Sequence, residues 1–192
     1  MEILQTKDDI LKIKTDVLVV GAFKGSKFSR SAKKVDKSSG GLLKGAASDE
    51  KFDGSLGQSV LVISPSEKIK AGRILLVGLG EEASVTASVV KKEASLAANK
   101  INGFCSDAAF EKELCVSGNY ISALAQGVTL GAYQFTKYKS EASRSKLQKI
   151  YCLGSSVKEK EFKAGTEAAR SMAEAVNLVR DLVNEPPVYL TP

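Results

Sequence analysis

The sequence predicts an α/β fold, a mostly parallel or mixed central sheet flanked by helices, with a long helix at the C-terminal end. Three observations carry this. Short β-branched runs alternate with helical patterns along the chain. The clearest run, Val17-Leu18-Val19-Val20, is continuously apolar, as strands covered on both faces are, rather than alternating. And 192 residues with 43% apolar content can bury roughly 70% of the surface the unfolded chain exposes, so a core forms without disulfides or metal.

In chain order, Asp16 to Phe23 reads as a buried strand. Gly57 to Ile63 and Arg73 to Val77 read likewise, and the turn-rich Ser64-Pro65-Ser66-Glu67 between them makes them a neighbouring pair. Thr86 to Ile101 is an amphipathic surface helix, with Val89, Val90, Leu96, Ala97 and Ile101 set among lysines. Tyr120 to Phe135 carries Ile121, Leu124, Ala125, Val128 and Ala132 at helical spacing, with Gly127 and Gly131 on the same side. Glycines there mark a close backbone approach, and this helix is expected to pack on the sheet. Ile150 to Leu153, stopped by Gly154, is a further strand. Glu159 to Val183 is the longest helix, about 37 Å at 1.5 Å per residue, a length that joins two bodies. Its stripe of Phe162, Ala169, Met172, Val176, Val179 and Val183 reads as core. Thr191 then Pro192 places an N-cap before a first-turn proline, so the sequence announces another helix, and the expectation is a severed domain.

Composition excludes several chemistries. The chain has no His, which removes Ser-His-Asp and Cys-His catalysis and His-zinc sites. Cys105, Cys115 and Cys152 form no C-x-x-C pair and are odd in number, against a disulfide framework or zinc knuckle; they read as small buried hydrophobes. No apolar run approaches the roughly 20 residues of a membrane helix, and the N-terminus lacks the order of a secretory signal. The expected location is the cytoplasm, with no membrane partner.

Glycine-rich and acidic segments are the remaining candidates. Gly78-Leu79-Gly80-Glu81-Glu82-Ala83 formally matches a dinucleotide-binding turn, but its two glutamates oppose a pyrophosphate and no ribose-binding acid follows; a strand-to-helix turn explains the glycines. Ser39 to Gly45 lacks phosphate-loop spacing and reads as a flexible turn entering a short helix. Asp49, Glu50 and Asp53 form an acidic cluster without a second set of ligands, and read as an exposed loop. None of these assembles an active site.

The net charge of +6 is local. Lys24, Lys27, Arg30, Lys33, Lys34 and Lys37 stand against Asp36 alone, and Lys137, Lys139, Arg144, Lys146 and Lys149 against Glu141. These eleven residues are the candidate nucleic-acid contacts, through attraction to phosphates. Interleaved aromatics, which would stack bases, are limited to Phe28 and Tyr138. The alternative is a solvated basic surface.

The segment Arg180-Asp181-Leu182-Val183-Asn184-Glu185-Pro186-Pro187-Val188-Tyr189-Leu190-Thr191-Pro192 resembles the interdomain junction of leucyl (cytosol) aminopeptidases. Many members of that family carry Thr and Asn at the positions of Glu185 and Val188. Gly41-Leu42-Leu43, Asp53-Gly54, Gly57-Gln58 and Arg73 to Gly80 resemble the family's N-terminal domain in the same order, so the resemblance spans essentially the whole chain. It implies a macro-domain-like, non-catalytic domain over residues 1–157. Residues 158–192 would be a linker helix and the start of a catalytic domain. That catalytic domain would hold two divalent ions, Zn or Mn, through Lys, Asp and Glu ligands, and would release N-terminal Leu and other residues from peptides. No residue of this sequence matches those motifs, so no catalytic or metal-binding residue and no cofactor is assigned to it. The resemblance further implies a homo-hexamer in which this domain serves assembly and access to the active sites, with its own catalytic domain as partner. A nucleic-acid-binding module through the basic runs is the alternative, and the macro-domain likeness adds a third reading, an ADP-ribose binder.

Overall fold

A computed structural model describes residues 1–64, 67–138 and 146–186. In it the strands are β1 (Glu2–Thr6), β2 (Val17–Phe23), β3 (Lys27–Phe28), β4 (Ser59–Ile63), β5 (Arg73–Gly78), β6 (Asp107–Phe110) and β7 (Lys149–Leu153). They form one sheet in the order β1-β7-β6-β2-β5-β4, with β3 paired to β2. The pairs β1/β7, β7/β6, β6/β2 and β2/β5 are parallel. β4 runs antiparallel to β5, as the short connection between them required, and β3 antiparallel to β2.

The continuous apolar runs follow from two covered faces. Side chains alternate along a strand, so Leu18 and Val20 of β2, with Ile74 and Leu76 of β5, meet one layer, where α1 (Arg30–Ser38) and α2 (Leu42–Asp49) lie. Val17 and Val19, with Leu75 and Val77, meet the other, formed by α3 (Ala87–Ile101) and α4 (Gly118–Gly131). Ser29, Thr86 and Ser117 open α1, α3 and α4 by accepting hydrogen bonds from the amides of Ala32, Val89 and Tyr120. α5 (Glu159–Asn184) lies beside α4.

β6 carries two alanines, residues of low β-propensity, and is held by its start instead. The Asp107 carboxylate accepts from Thr15 Oγ1 at 2.6 Å and from the Asp16 amide at 2.9 Å. Asp16 reciprocates, accepting from the Ser106 amide and hydroxyl at 2.7 and 2.9 Å. These four bonds tie the beginnings of β2 and β6 together.

α4 begins two residues before the expected Tyr120 and ends at Gly131. Its nearest neighbours are α3 and α5. The glycines are needed there: a Cβ on Gly127 would stand 2.3 Å from the Lys91 carbonyl oxygen, and one on Gly131 2.1 Å from that of Ser95. Close backbone approach is therefore real, but between two helices.

One expectation is corrected. Phe162 and Ala169 of α5 are buried, whereas Met172, Val176, Val179 and Val183 are exposed and not core. Only the side of α5 that includes Phe162, Ala169 and Ala173 meets the domain.

Candidate functional site

Open α/β sheets bind ligands at the C-terminal ends of their strands, where successive connections depart to opposite sides. Here that point is the end of β2, between β5 and β6. The chain's own side chains fill it. Glu111, just past β6, accepts a hydrogen bond from the Gly21 amide at 2.9 Å and another from the Ser29 hydroxyl at 2.7 Å. The same hydroxyl accepts from the Ala32 amide at 2.9 Å, so one serine caps α1 and holds the carboxyl. Leu79 closes the other side: a Cβ on Gly21 would stand 2.5 Å from Leu79 Cδ1 and 2.9 Å from Glu111 Oε1.

Glu111 is fully buried. Burial, with Glu113 nearby, pushes its carboxyl well above the usual range, partly offset by the Ser29 and Gly21 bonds. Glu113 accepts from the Ser31 hydroxyl at 2.6 Å. Nothing in the local sequence marks this arrangement, since an isolated Glu after a four-residue strand has no signature.

The glycines of the dinucleotide-like turn serve chain packing. The Gly80 amide donates to the Gly54 carbonyl and its own carbonyl accepts from the Lys24 amide, both at 2.9 Å. A Cβ on Gly78 would stand 2.1 Å from the Ser55 carbonyl oxygen. Such a turn leaves no cradle for a pyrophosphate, and Glu111 and Leu79 stand against Gly21 near the end of β2.

The other candidates are dispersed. Gly40 and Gly41, both at positive φ, join α1 to α2, and Asp36 accepts from the Lys44 amide across that turn. Asp49 ends α2, while Asp53 accepts from the Ser55 amide. Among the described residues no three His, Cys, Asp or Glu side chains converge to hold a metal ion. These residues therefore do not fit the two-metal centre that the resemblance implies for the family's catalytic part. All three cysteines are buried. Burial pushes the Cys105 thiol up to about 12, and a hydrogen bond with Cys152, together with burial, raises that of Cys115. Neither is a ready nucleophile.

The basic runs separate. Lys24 pairs with Glu81 at 3.3 Å, Lys27 with Glu82 and Lys34 with Asp9. Arg30, Lys33 and Lys37 are exposed along one side of α1, and no ion pair engages them among the described residues. In the second run Lys137 pairs with Glu185, while Lys146 and Lys149 are exposed. Lys139 and Arg144 lie outside the described residues. The runs occupy opposite layers, α1 on one face of the sheet and Lys137 beside the end of α5 on the other. A groove of about 1110 Å³ runs between α5 and the starts of β1 and β7, with Glu2, Tyr133, Lys149, Lys163 and Arg170 along it.

Residues 19–142 match the model of the cytosol aminopeptidase family, N-terminal domain. The chain belongs to this family. It is 34% identical over 182 residues to the cytosol aminopeptidase of Pseudomonas aeruginosa, an alignment that covers 91% of this chain and 37% of that protein. Its fold is similar to that of a mutant tomato leucine aminopeptidase, with a TM-score of 0.84 and 29% identity across 100% of this chain and 40% of the other. A bottromycin maturation enzyme, BotP, solved in complex with Mn, shares the fold at a TM-score of 0.64 and 24% identity, over 93% of this chain and 34% of that one. The chain thus spans about two fifths or less of the length of these relatives. As a cytosol aminopeptidase N-terminal domain, it has the mostly parallel, helix-flanked sheet and long C-terminal helix that the resemblance implied. No described helix is long and apolar enough to cross a membrane.

Proposed function

We propose that this chain is the non-catalytic N-terminal domain of a cytoplasmic leucyl aminopeptidase, and that it is inactive alone. Peptide hydrolysis then belongs to a catalytic domain with two divalent ions, Zn or Mn, which polarise the peptide carbonyl and activate water. This domain, residues 1–157 with α5 as linker, serves hexamer assembly and access to the active sites. One observation carries the reading: the family model matched is that of an N-terminal domain, and the chain covers only 37% of the Pseudomonas enzyme. The filled crevice at the end of β2 supports a structural role. Sequencing the source reading frame past the Pro192 codon tests it. A further catalytic-sized stretch with clustered Asp and Glu and a Lys is expected, and a stop codon at that point would overturn the reading.

Nucleic-acid binding is the second reading, favoured by one observation: Arg30, Lys33 and Lys37 project from α1 without ion-pair partners among the described residues. Three phosphate contacts give log K a slope of about −2.7 against log salt. In a retardation assay Lys33→Glu with Lys37→Glu is expected to abolish the shift, whereas no retardation of the native chain at low salt would remove this reading.

A further inference from the structure

Cys115 and Cys152 are far apart in sequence, and the fold brings them together. Cys152 lies in β7, between Phe110 of β6 on one side and Gln5 of β1 on the other. Cys115 ends the single turn Lys112–Leu114 that leads from β6 toward α4, its amide donating to the Lys112 carbonyl at 2.9 Å. Both side chains are fully buried in the same apolar cluster, and their thiols are in hydrogen-bond contact. Each backbone is fixed by its own hydrogen bonds, in a ladder for Cys152 and in a turn for Cys115, so the contact is a lasting feature of the fold.

Cys105 stands apart from this pair. It precedes the start of β6, with Asp16, Asp107 and Arg73 nearby. Five residues separate it from Phe110, the level of Cys152, which is about 16 Å of extended chain. A lone buried cysteine acts as a small hydrophobe, a task that alanine or valine performs equally well. Two thiols in contact have a further chemistry, because they can be joined.

We propose that Cys115 and Cys152 are a latent disulfide, closed by hydrogen peroxide and reopened by a thiol reductant. In the first step one sulfur, its proton passed to water, attacks a peroxide oxygen. The S–O bond forms, the O–O bond breaks, and the departing hydroxide takes up a proton, leaving a sulfenic acid and water. In the second step the neighbouring sulfur attacks the sulfenic sulfur. The S–S bond forms, the S–O bond breaks, and hydroxide leaves with the neighbour's proton as a second water. Two thiols and one peroxide thus give one disulfide and two waters, the sulfurs oxidised and the peroxide oxygens reduced. Burial keeps the thiolate scarce, so the reaction is slow and answers sustained rather than brief exposure. Burial also selects the oxidant, since peroxide is small and uncharged whereas a bulky disulfide does not reach the core. The bond ties the turn that follows Glu111 to β7 and closes a loop containing α4. Closing a loop restricts the unfolded chain, so the oxidised form is the more stable one. The proposal does not depend on the aminopeptidase reading.

Peptide mapping of the folded 192-residue chain after incubation with hydrogen peroxide tests it. The exposed Met172 also takes up oxygen and serves as the internal control for oxidant delivery. Once Met172 is fully converted, the peptides holding Cys115 and Cys152 are expected to be joined, with the loss of two hydrogens, while Cys105 still alkylates as a free thiol. Dithiothreitol is expected to separate the two peptides again. The oxidised chain is expected to unfold at a higher urea concentration than the reduced one. Cys105→Ala is expected to keep the cross-link and Cys152→Ala to lose it; the map of the native chain decides even where a variant does not fold. Free thiols at both positions after Met172 is converted, a cross-link that includes Cys105 or joins two copies, a terminal sulfinic acid at either position, or a lower urea midpoint would each overturn the proposal.

Discussion

Glu111 holds the Gly21 amide at 2.9 Å from Oε1, joining the end of β6 to the end of β2 inside the crevice where folds of this class bind ligands. The carboxyl is fully buried and its affinity for a proton is raised by that burial. The folded chain therefore binds a proton here that the unfolded chain has released. The contribution of Glu111 is fully present below the usual carboxyl value of 4.5 and is lost as pH rises toward the folded value. Glu111→Gln keeps an acceptor for Gly21 and does not titrate. In urea titrations its stability relative to the native chain is expected to grow between pH 4.5 and 8, by up to about 1.4 kcal/mol per pH unit. Parallel profiles would contradict the buried-acid reading.

Asp16 behaves in the opposite sense. The Ser106 amide and hydroxyl hold its carboxyl below the usual value of 3.8. Its contribution is present above that value and is lost as pH falls through the folded one. Asp16→Asn is expected to be less stable than the native chain at pH 7, with the gap narrowing toward pH 3.

Gly131 and Gly45 separate packing from helix propensity. Gly131→Ala drives a Cβ to 2.1 Å from the Ser95 carbonyl oxygen, whereas Gly45 in α2 has open space around its missing Cβ. Gly131→Ala is expected to cost about 1–3 kcal/mol as α3 and α4 are forced apart. Gly45→Ala is expected to gain up to about 1 kcal/mol. Thermal melts of the two variants should move in opposite directions.

The three cysteines are buried among apolar side chains. A thiol-reactive dye is expected to find essentially none of them in the native chain and all three in urea. A fast-reacting thiol under native conditions would contradict the burial.

The strands at the centre of the sheet were legible because burial on both faces leaves an uninterrupted β-branched run, as in Val17 to Val20. β6 was not, since Asp107-Ala108-Ala109-Phe110 owes its place to the Asp16 and Asp107 brackets, which join residues about 90 positions apart. α1 was hidden by its basic residues, with only Ala32 and Val35 buried. Gly127 and Gly131 correctly announced a close contact without naming its partner. The stripe at Met172 had helical spacing, but spacing does not distinguish a face that meets its own domain from one turned outward. Glu111 was not legible at all, because its role depends on where β2 and α1 bring Gly21 and Ser29. At the junction the legible signal was a resemblance, and the match over residues 19–142 supports the family it pointed to.

The most direct measurement is leucine release from leucine amide by the purified 192-residue chain, supplied in turn with Mn and Zn over a hundredfold range of protein concentration. The expected result is release at the rate of the metal alone at every concentration. Release that scales with the chain's concentration, and that withstands a second purification step, would contradict a non-catalytic domain.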